Sequence, residues 1–146
     1  MRFFVGSDHA AIALRQKIVE HLHVAGHHVE EIGPREGERV DYPDQAAVVA
    51  QGVARGAADR GILVCGTGIG MSIAANKIKG IRAALVHDAA TAQMAAMHND
   101  ANVLCLGGRV LADDVAIALV DIWLETGFEE RHAPRLEKIT QLETSG

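Results

Sequence analysis

The sequence predicts one α/β domain: a doubly wound, Rossmann-like αβα sandwich around a five-stranded parallel sheet, ending in a C-terminal helical tail. Three observations predict it. Short β-branched apolar runs alternate with segments of helical period. The strand-like runs are separated by stretches long enough for a crossover helix, which argues for parallel pairing with helices on both faces. No internal repeat, linker or low-complexity tract divides the chain, so residues 1–146 read as a single domain.

The elements follow in order. Phe3 to Gly6 reads as the first strand, and Ala10 to Ala25 as a helix with Leu14, Ile18 and Leu22 on one face. Gly26 suits its C′ position. His28 to Ile32 is the second strand, and the polar stretch from Gly33 to Asp41 is a loop. Pro43 opens the next helix, just after Tyr42, and that helix runs to about Arg55 with an interruption at Gly52. Gly61 to Cys65 is the third strand. A glycine-rich loop and a helix to about Lys77 follow it. Ile81 to Val86 is the fourth strand, and His87-Asp88 caps an alanine-rich helix ending near His98. Asn102 to Leu106 is the fifth strand, closed by Gly107-Gly108. Val115, Leu119 and Ile122 mark a helix facing the sheet, and a last short helix starts at Pro134.

Composition narrows the function classes. Hydrophobic residues are 49% and charged residues 23% of the chain, ordinary for a globular protein. A net charge of −5 argues against nucleic-acid binding, so an anionic ligand must be held by a few local cations. No stretch is apolar enough to span a membrane, and the N-terminus runs directly from Met1 into strand-like sequence. The expectation is a cytoplasmic protein with reduced thiols at Cys65 and Cys105.

Chemistry concentrates at Cys65-Gly66-Thr67-Gly68-Ile69-Gly70. A thiol ends a strand, and the next residues allow close backbone approach, with N–H groups able to converge on an anion. The spacing fits neither G-x-G-x-x-G nor a P-loop, so no nucleotide motif is supported. Oriented amides and a helix N-terminus favour a thiolate there. Cys105, inside Val103-Leu104-Cys105-Leu106, reads as core. Asp8 and His9 follow the first strand, on the same sheet edge as Cys65; Asp8 also suits an N-cap for the first helix, while His9 in its first turn has no capping role. His98-Asn99-Asp100 ends the alanine-rich helix, where a histidine also serves the dipole and Asn99 or Asn102 suits a left-handed cap. Arg131 and Arg135 flank Pro134 at the positive end of a helix, a conflict that a bound anion relieves. Arg109, after Gly107-Gly108, is a third cationic candidate. His21, His23, His27 and His28 show no metal-ligand spacing, and no metal is expected.

Gly6-Ser7-Asp8-His9-Ala10, Cys65 to Gly70 with Ala74-Ala75-Asn76-Lys77, His98 to Val103, and Arg131-His132 with Arg135 together resemble the type B ribose-5-phosphate isomerase family, which includes galactose-6-phosphate isomerase subunits. The resemblance spans essentially the whole chain. It implies a cofactor-free aldose–ketose isomerase acting on ribose 5-phosphate and ribulose 5-phosphate through an enediolate. Cys65 matches the proton-abstracting thiolate, and the amides of Gly66, Thr67, Gly68, Ile69 and Gly70 match an anion hole. His98 matches the ring-opening residue, assisted by Thr67. Asp8 and Asn99 match sugar ligands; His9, Arg131 and Arg135 match the phosphate grip, with Arg109 lining the site. One branch of the family places a glutamate base at the position of Met71, so Cys65 points to the cysteine branch. Ala11 stands where the family usually has glycine, and its methyl is expected to narrow the site or shift the sugar. The resemblance further implies a homodimer or tetramer with the site between subunits.

Other readings are kept open. The same chemistry on erythrulose 4-phosphate, allose 6-phosphate or galactose 6-phosphate fits the same residues. A catalytically silent phosphosugar-binding domain predicts a broken constellation, whereas Cys65 and His98 are both present. A redox or acyl-transfer thiol enzyme wants a resolving cysteine or an assigned base.

Overall fold

The computed structural model describes residues 1–144. The chain runs β1 (Arg2–Ser7), α1 (Ile12–Val24), β2 (His28–Ile32), α2 (Tyr42–Ala54), β3 (Arg60–Cys65), α3 (Ile69–Ala75), β4 (Ala83–Leu85), α4 (Ala89–Met97), β5 (Val103–Gly107) and α5 (Asp113–Glu125). A 3₁₀ turn, Glu130–His132, leads into α6 (Ala133–Leu142). The five strands are all parallel, in the order β2-β1-β3-β5-β4.

Strand alternation builds two apolar layers. Phe3, Val5, Ile62, Val64, Leu104 and Leu106 pack against α1, α4 and α5. Phe4, Leu63, Cys65, Val103 and Cys105 face α2 and α3. The chain leaves β1 toward β2 on one side and resumes with β3 on the other, so the carboxyl ends of β1 and β3 flank the switch point where open α/β sheets hold ligands. Asp8 and Cys65 lie there.

Several local expectations are corrected. The helix α2 is continuous through Gly52, because the Phe4 ring packs on that residue: a Cβ at position 52 would lie 2.2 Å from the ring. The buried face of α5 is Ala116, Leu119, Val120 and Trp123, one residue round from the predicted stripe, and Val115 is exposed. β4 keeps only Ala83–Leu85 of the predicted Ile81–Val86. The left-handed residue after α4 is Asp100 (φ 43°), not Asn99 or Asn102. Asn102 instead spends its side chain on the Arg82 amide and the Gly80 carbonyl.

Candidate active site

The β3–α3 turn arranges a thiol and a backbone amide at contact distance. The Gly68 N–H donates to Cys65 Sγ at 3.1 Å. Gly68 adopts φ 79°, and a Cβ there would meet the Leu106 carbonyl carbon at 2.9 Å, so the turn requires glycine. Thr67 Oγ1 accepts from the Ile69 N–H at 3.2 Å, closing the start of α3. Arg109 is tied to the same turn through its N–H on the Gly66 carbonyl (2.9 Å), and its side chain lies over Gly66.

The β1 end supplies the facing wall. Asp8 is buried, and its carboxylate accepts from the Ala10 N–H at 3.0 Å. Asp8 therefore closes a turn, while the N-cap position of α1 falls to Ala11. His9 sits in that turn rather than in the first turn of the helix. Its Nδ1 lies within hydrogen-bond reach of the Val40 carbonyl (3.1 Å) and amide (3.3 Å). An open cleft of about 580 Å³ unites Asp8, His9, Cys65, Gly66, Thr67, Ile69, Gly70 and Arg109. Arg39 and Tyr42 line it too, and sequence reasoning missed both. The loop carrying Arg39 is fixed by a buried arginine, Arg15, whose long-range contacts leave no short motif; only its place on the buried face of α1, among leucine and isoleucine, marked it as unusual.

The methyl of Ala11 does not narrow the cleft. It is buried in the α1 layer, 3.2 Å from where a Cβ on Gly108 would lie, and it is absent from the cleft wall. Met71, on α3, is fully buried. Burial drives the Cys105 thiol far above its usual range, with Cys65 adding to the effect, so Cys105 is an inert core thiol.

His98, Asn99, Arg131 and Arg135 do not join this cleft in the chain. α4 starts after the carboxyl end of β4 and returns, so its C-cap, His98, falls near the start of β5. Cys65 pairs with Gly107 at the other end of that strand. Four residue steps from Val103 to Gly107 amount to about 13 Å of strand. At its own end His98 meets the 3₁₀ turn. Its Nε2 lies 3.9 Å from Glu129 Oε1, and its ring centroid is 4.4 Å from that of His132. Arg131 Nε donates to Glu129 Oε2 (3.0 Å), which holds that carboxyl below the usual carboxylate range, with the neighbouring charges of Arg131, His132 and His98 contributing. Arg135 Nη1 donates to His132 Nδ1 at 3.1 Å. Asn99 faces a third place, a groove between α6 and the β4 edge that Ile81 and Ile139 also line. One chain thus carries two chemically distinct clusters at opposite ends of its sheet: thiol with amides, and imidazole with guanidiniums.

Comparison with known proteins returns one consistent group. The family model for Ribose/Galactose Isomerase matches residues 3–139. Ribose-5-phosphate isomerase B of Escherichia coli is 47% identical over 139 residues, 94% of this chain and 93% of that protein. A D-erythrulose-4-phosphate isomerase of Pectobacterium atrosepticum is 44% identical over 137 residues, 92% of this chain and 90% of that protein. The crystal structure of ribose-5-phosphate isomerase B from Mycoplasma genitalium with bound ribulose 5-phosphate superposes with a TM-score of 0.95 at 42% identity, covering 99% of this chain and 97% of that one.

Proposed function

This chain belongs to the ribose/galactose isomerase family, and from that membership we propose that it interconverts ribose 5-phosphate and ribulose 5-phosphate through an enediolate. The observation that carries the reading is the Gly68 amide on Cys65 Sγ inside a cleft walled by Asp8, His9 and Arg109. A thiolate held by a backbone N–H is a base for the acidic C–H beside a sugar carbonyl. The amides that follow it, Gly66 to Gly70, are the donors for the oxygen that gains charge as the proton leaves. One such donor is typically worth on the order of 100- to 1000-fold in rate.

Cys65 removes the proton from C2 of the open-chain aldose and returns it to C1, while the O2 hydroxyl proton passes to O1, so that C2=O2 replaces C1=O1. Asp8 holds a sugar hydroxyl, Thr67 assists ring opening from the cleft wall, and His9, Arg39 and Arg109 offer positive or hydrogen-bonding groups along it. Ring opening is assigned to His98, and the phosphate to Arg131 and Arg135, with Asn99 on the sugar. These four stand at the far end of the sheet from Cys65, so a complete site takes its second half from another copy of the chain, in a dimer or a larger assembly. Exposed apolar residues at the cleft rim (Ile69, Ile73) and on α6 (Ile139, Leu142) are the kind of surface such contact covers. The lack of any helix long and apolar enough to cross a membrane among the described residues suits a cytoplasmic metabolic enzyme.

The test is turnover and deuterium incorporation in D₂O on ribose 5-phosphate, erythrulose 4-phosphate, allose 6-phosphate and galactose 6-phosphate. Fastest turnover of ribose 5-phosphate, with deuterium entering at the exchanged carbon, is expected. Preference for erythrulose 4-phosphate would move this chain to the activity named for the Pectobacterium relative, and no exchange on any sugar would refute the isomerase reading. The shared site has its own check. Cys65→Ala and His98→Ala chains, each inactive alone, are unfolded together and refolded. Mixed dimers hold one intact site of two and form half the population, so about a quarter of wild-type activity returns. No recovery would mean that each chain works alone.

A further inference from the structure

His132 is a buried polar residue that the mechanism leaves unused. The residue is 4% exposed, and among the described residues Nε2 is the buried side-chain nitrogen or oxygen with no hydrogen-bond partner. Such an orphan in a folded protein calls for an explanation.

The partner on the other nitrogen settles the tautomer. A guanidinium has only donors, so Arg135 Nη1 at 3.1 Å makes His132 Nδ1 the acceptor and leaves the hydrogen on Nε2. The ring is then neutral. Burial first, then the charges of Arg131, His98 and Arg135, hold its pKa below the usual histidine value, and Glu129 opposes them. Its face lies against His98, with centroids 4.4 Å apart and planes inclined by 46°. The backbone is locked too: His132 N–H donates to the Glu129 carbonyl (3.0 Å), and Glu129 N–H donates to the Met97 carbonyl (2.9 Å), the residue before His98. His98, Glu129 and His132 also bring ligand atoms within 4.8 Å of one another. Two guanidiniums flank that cluster, however, and one of them occupies His132, which suits it to an anion rather than a cation.

We propose that His132 is a positioning residue for His98: a neutral imidazole, anchored by Arg135, that fixes the plane of the His98 ring for opening of the sugar. This rests on the isomerase reading. In ring opening the C1–O4 bond breaks with its electron pair going to O4, the C1=O1 bond forms, and the proton of the anomeric hydroxyl is carried by His98 to O4. The transfer is internally balanced and depends on the angle of one imidazole, whose side chain is 36% exposed. His132 and Glu129 back it from the protein side.

The chemistry supplies a clean control. Ribulose 5-phosphate cannot close a furanose ring, since its O5 carries the phosphate, so exchange of its C1 hydrogen with solvent needs Cys65 but no ring step. In D₂O, His132→Ala is expected to slow consumption of ribose 5-phosphate by about tenfold or more, the size of a disturbed proton-transfer group. Deuterium wash-in to ribulose 5-phosphate stays within about threefold of wild type, which also shows that the variant is folded and binds phosphosugar. His132→Phe, which keeps a flat ring against His98, recovers part of the loss. Equal losses in both assays would make His132 a binding or folding residue and overturn the proposal; no loss in either would do the same. A wild-type enzyme active in neither assay would overturn the isomerase reading itself.

Discussion

Arg15 offers the sharpest test of how the fold holds the cleft. Its guanidinium is buried at 4% exposure and spends its donors on Glu31 Oε2 (2.8 Å), Ser7 Oγ (3.0 Å) and the Pro34 carbonyl (2.8 Å). These contacts join α1, the end of β1 just before Asp8, and the loop that carries Arg39 and seats His9 through Val40. Arg15→Met keeps the aliphatic stem and deletes the donors. Glu31 is 38% exposed on its side chain and rehydrates, so little is lost there. The Pro34 carbonyl is left buried without a donor, at about 1–3 kcal/mol, and the Ser7 bond adds about 1. A total near 3 kcal/mol corresponds to a fall in Tm of about 6–12 °C for a domain of this size. Calorimetry measures that fall, and steady-state kinetics should show KM rising more than kcat drops, because the loop frames the cleft without touching the thiol. A variant within about 1 °C of wild type, with unchanged KM, would refute the reasoning that the loop depends on Arg15.

Other perturbations have equally definite signs. Cys65→Ser replaces the thiol with a hydroxyl, a far weaker acid by its ordinary chemistry, so kcat should fall about 100-fold or more with phosphosugar affinity within a few-fold; a serine enzyme within tenfold of wild type would remove Cys65 as the base. Gly68→Ala costs about 1–2 kcal/mol for the left-handed backbone alone, before the 2.9 Å approach to Leu106, and it shifts the N–H off Cys65. Calorimetry and kcat should therefore fall together, and a fully stable, fully active alanine variant would contradict the turn geometry. His132 has a folded-state pKa below its unfolded value of 6.5, so its neutral form contributes stability that is present above pH 6.5 and lost as pH falls below it. Thermal scans between pH 7.5 and 5.5 should show a decline that His132→Phe flattens. Glu129 is also depressed, but from 4.5, so its loss lies at lower pH and does not confuse that window.

The centre of the sheet was legible because β1, β3 and β5 are apolar runs buried on both faces, whereas β2 and β4, at the edges, are only partly covered. The misplaced details share one cause: a local pattern decided by a distant partner. Gly52 looks like a helix break until the Phe4 ring is seen to occupy the space of its side chain. Val115 fits the apolar stripe of α5 as well as Ala116 does, and the closeness of α4 selects the smaller residue for the interface. Ala11 could be marked as unusual, but not which way its methyl points. In the cleft, Cys65, Asp8, His9 and the glycines were readable because strand ends and glycine turns put chemistry at fixed places. Arg39 and Tyr42 enter through the fold of a loop held by Arg15, and no spacing rule encodes that.

The separation of the two clusters was not readable from motif order, and it follows from topology. In a parallel sheet every helix carries the chain back, so residues after a strand and residues after a helix stand at opposite ends. Cys65 follows a strand; His98 follows a helix. The same rule makes the two ends chemically unlike. Strand ends at the switch point offer backbone amides and a thiol, which suit a charge that forms during reaction. The α4 C-terminus and the turn into α6 offer imidazoles and guanidiniums, which suit a charge the substrate already carries. With a net charge of −5, the chain holds an anion where such groups converge, as they do at the turn into α6. On the proposed shared site, a phosphosugar bridging both ends would favour the assembled form over separate chains, and assembly would strengthen substrate binding by the same free energy.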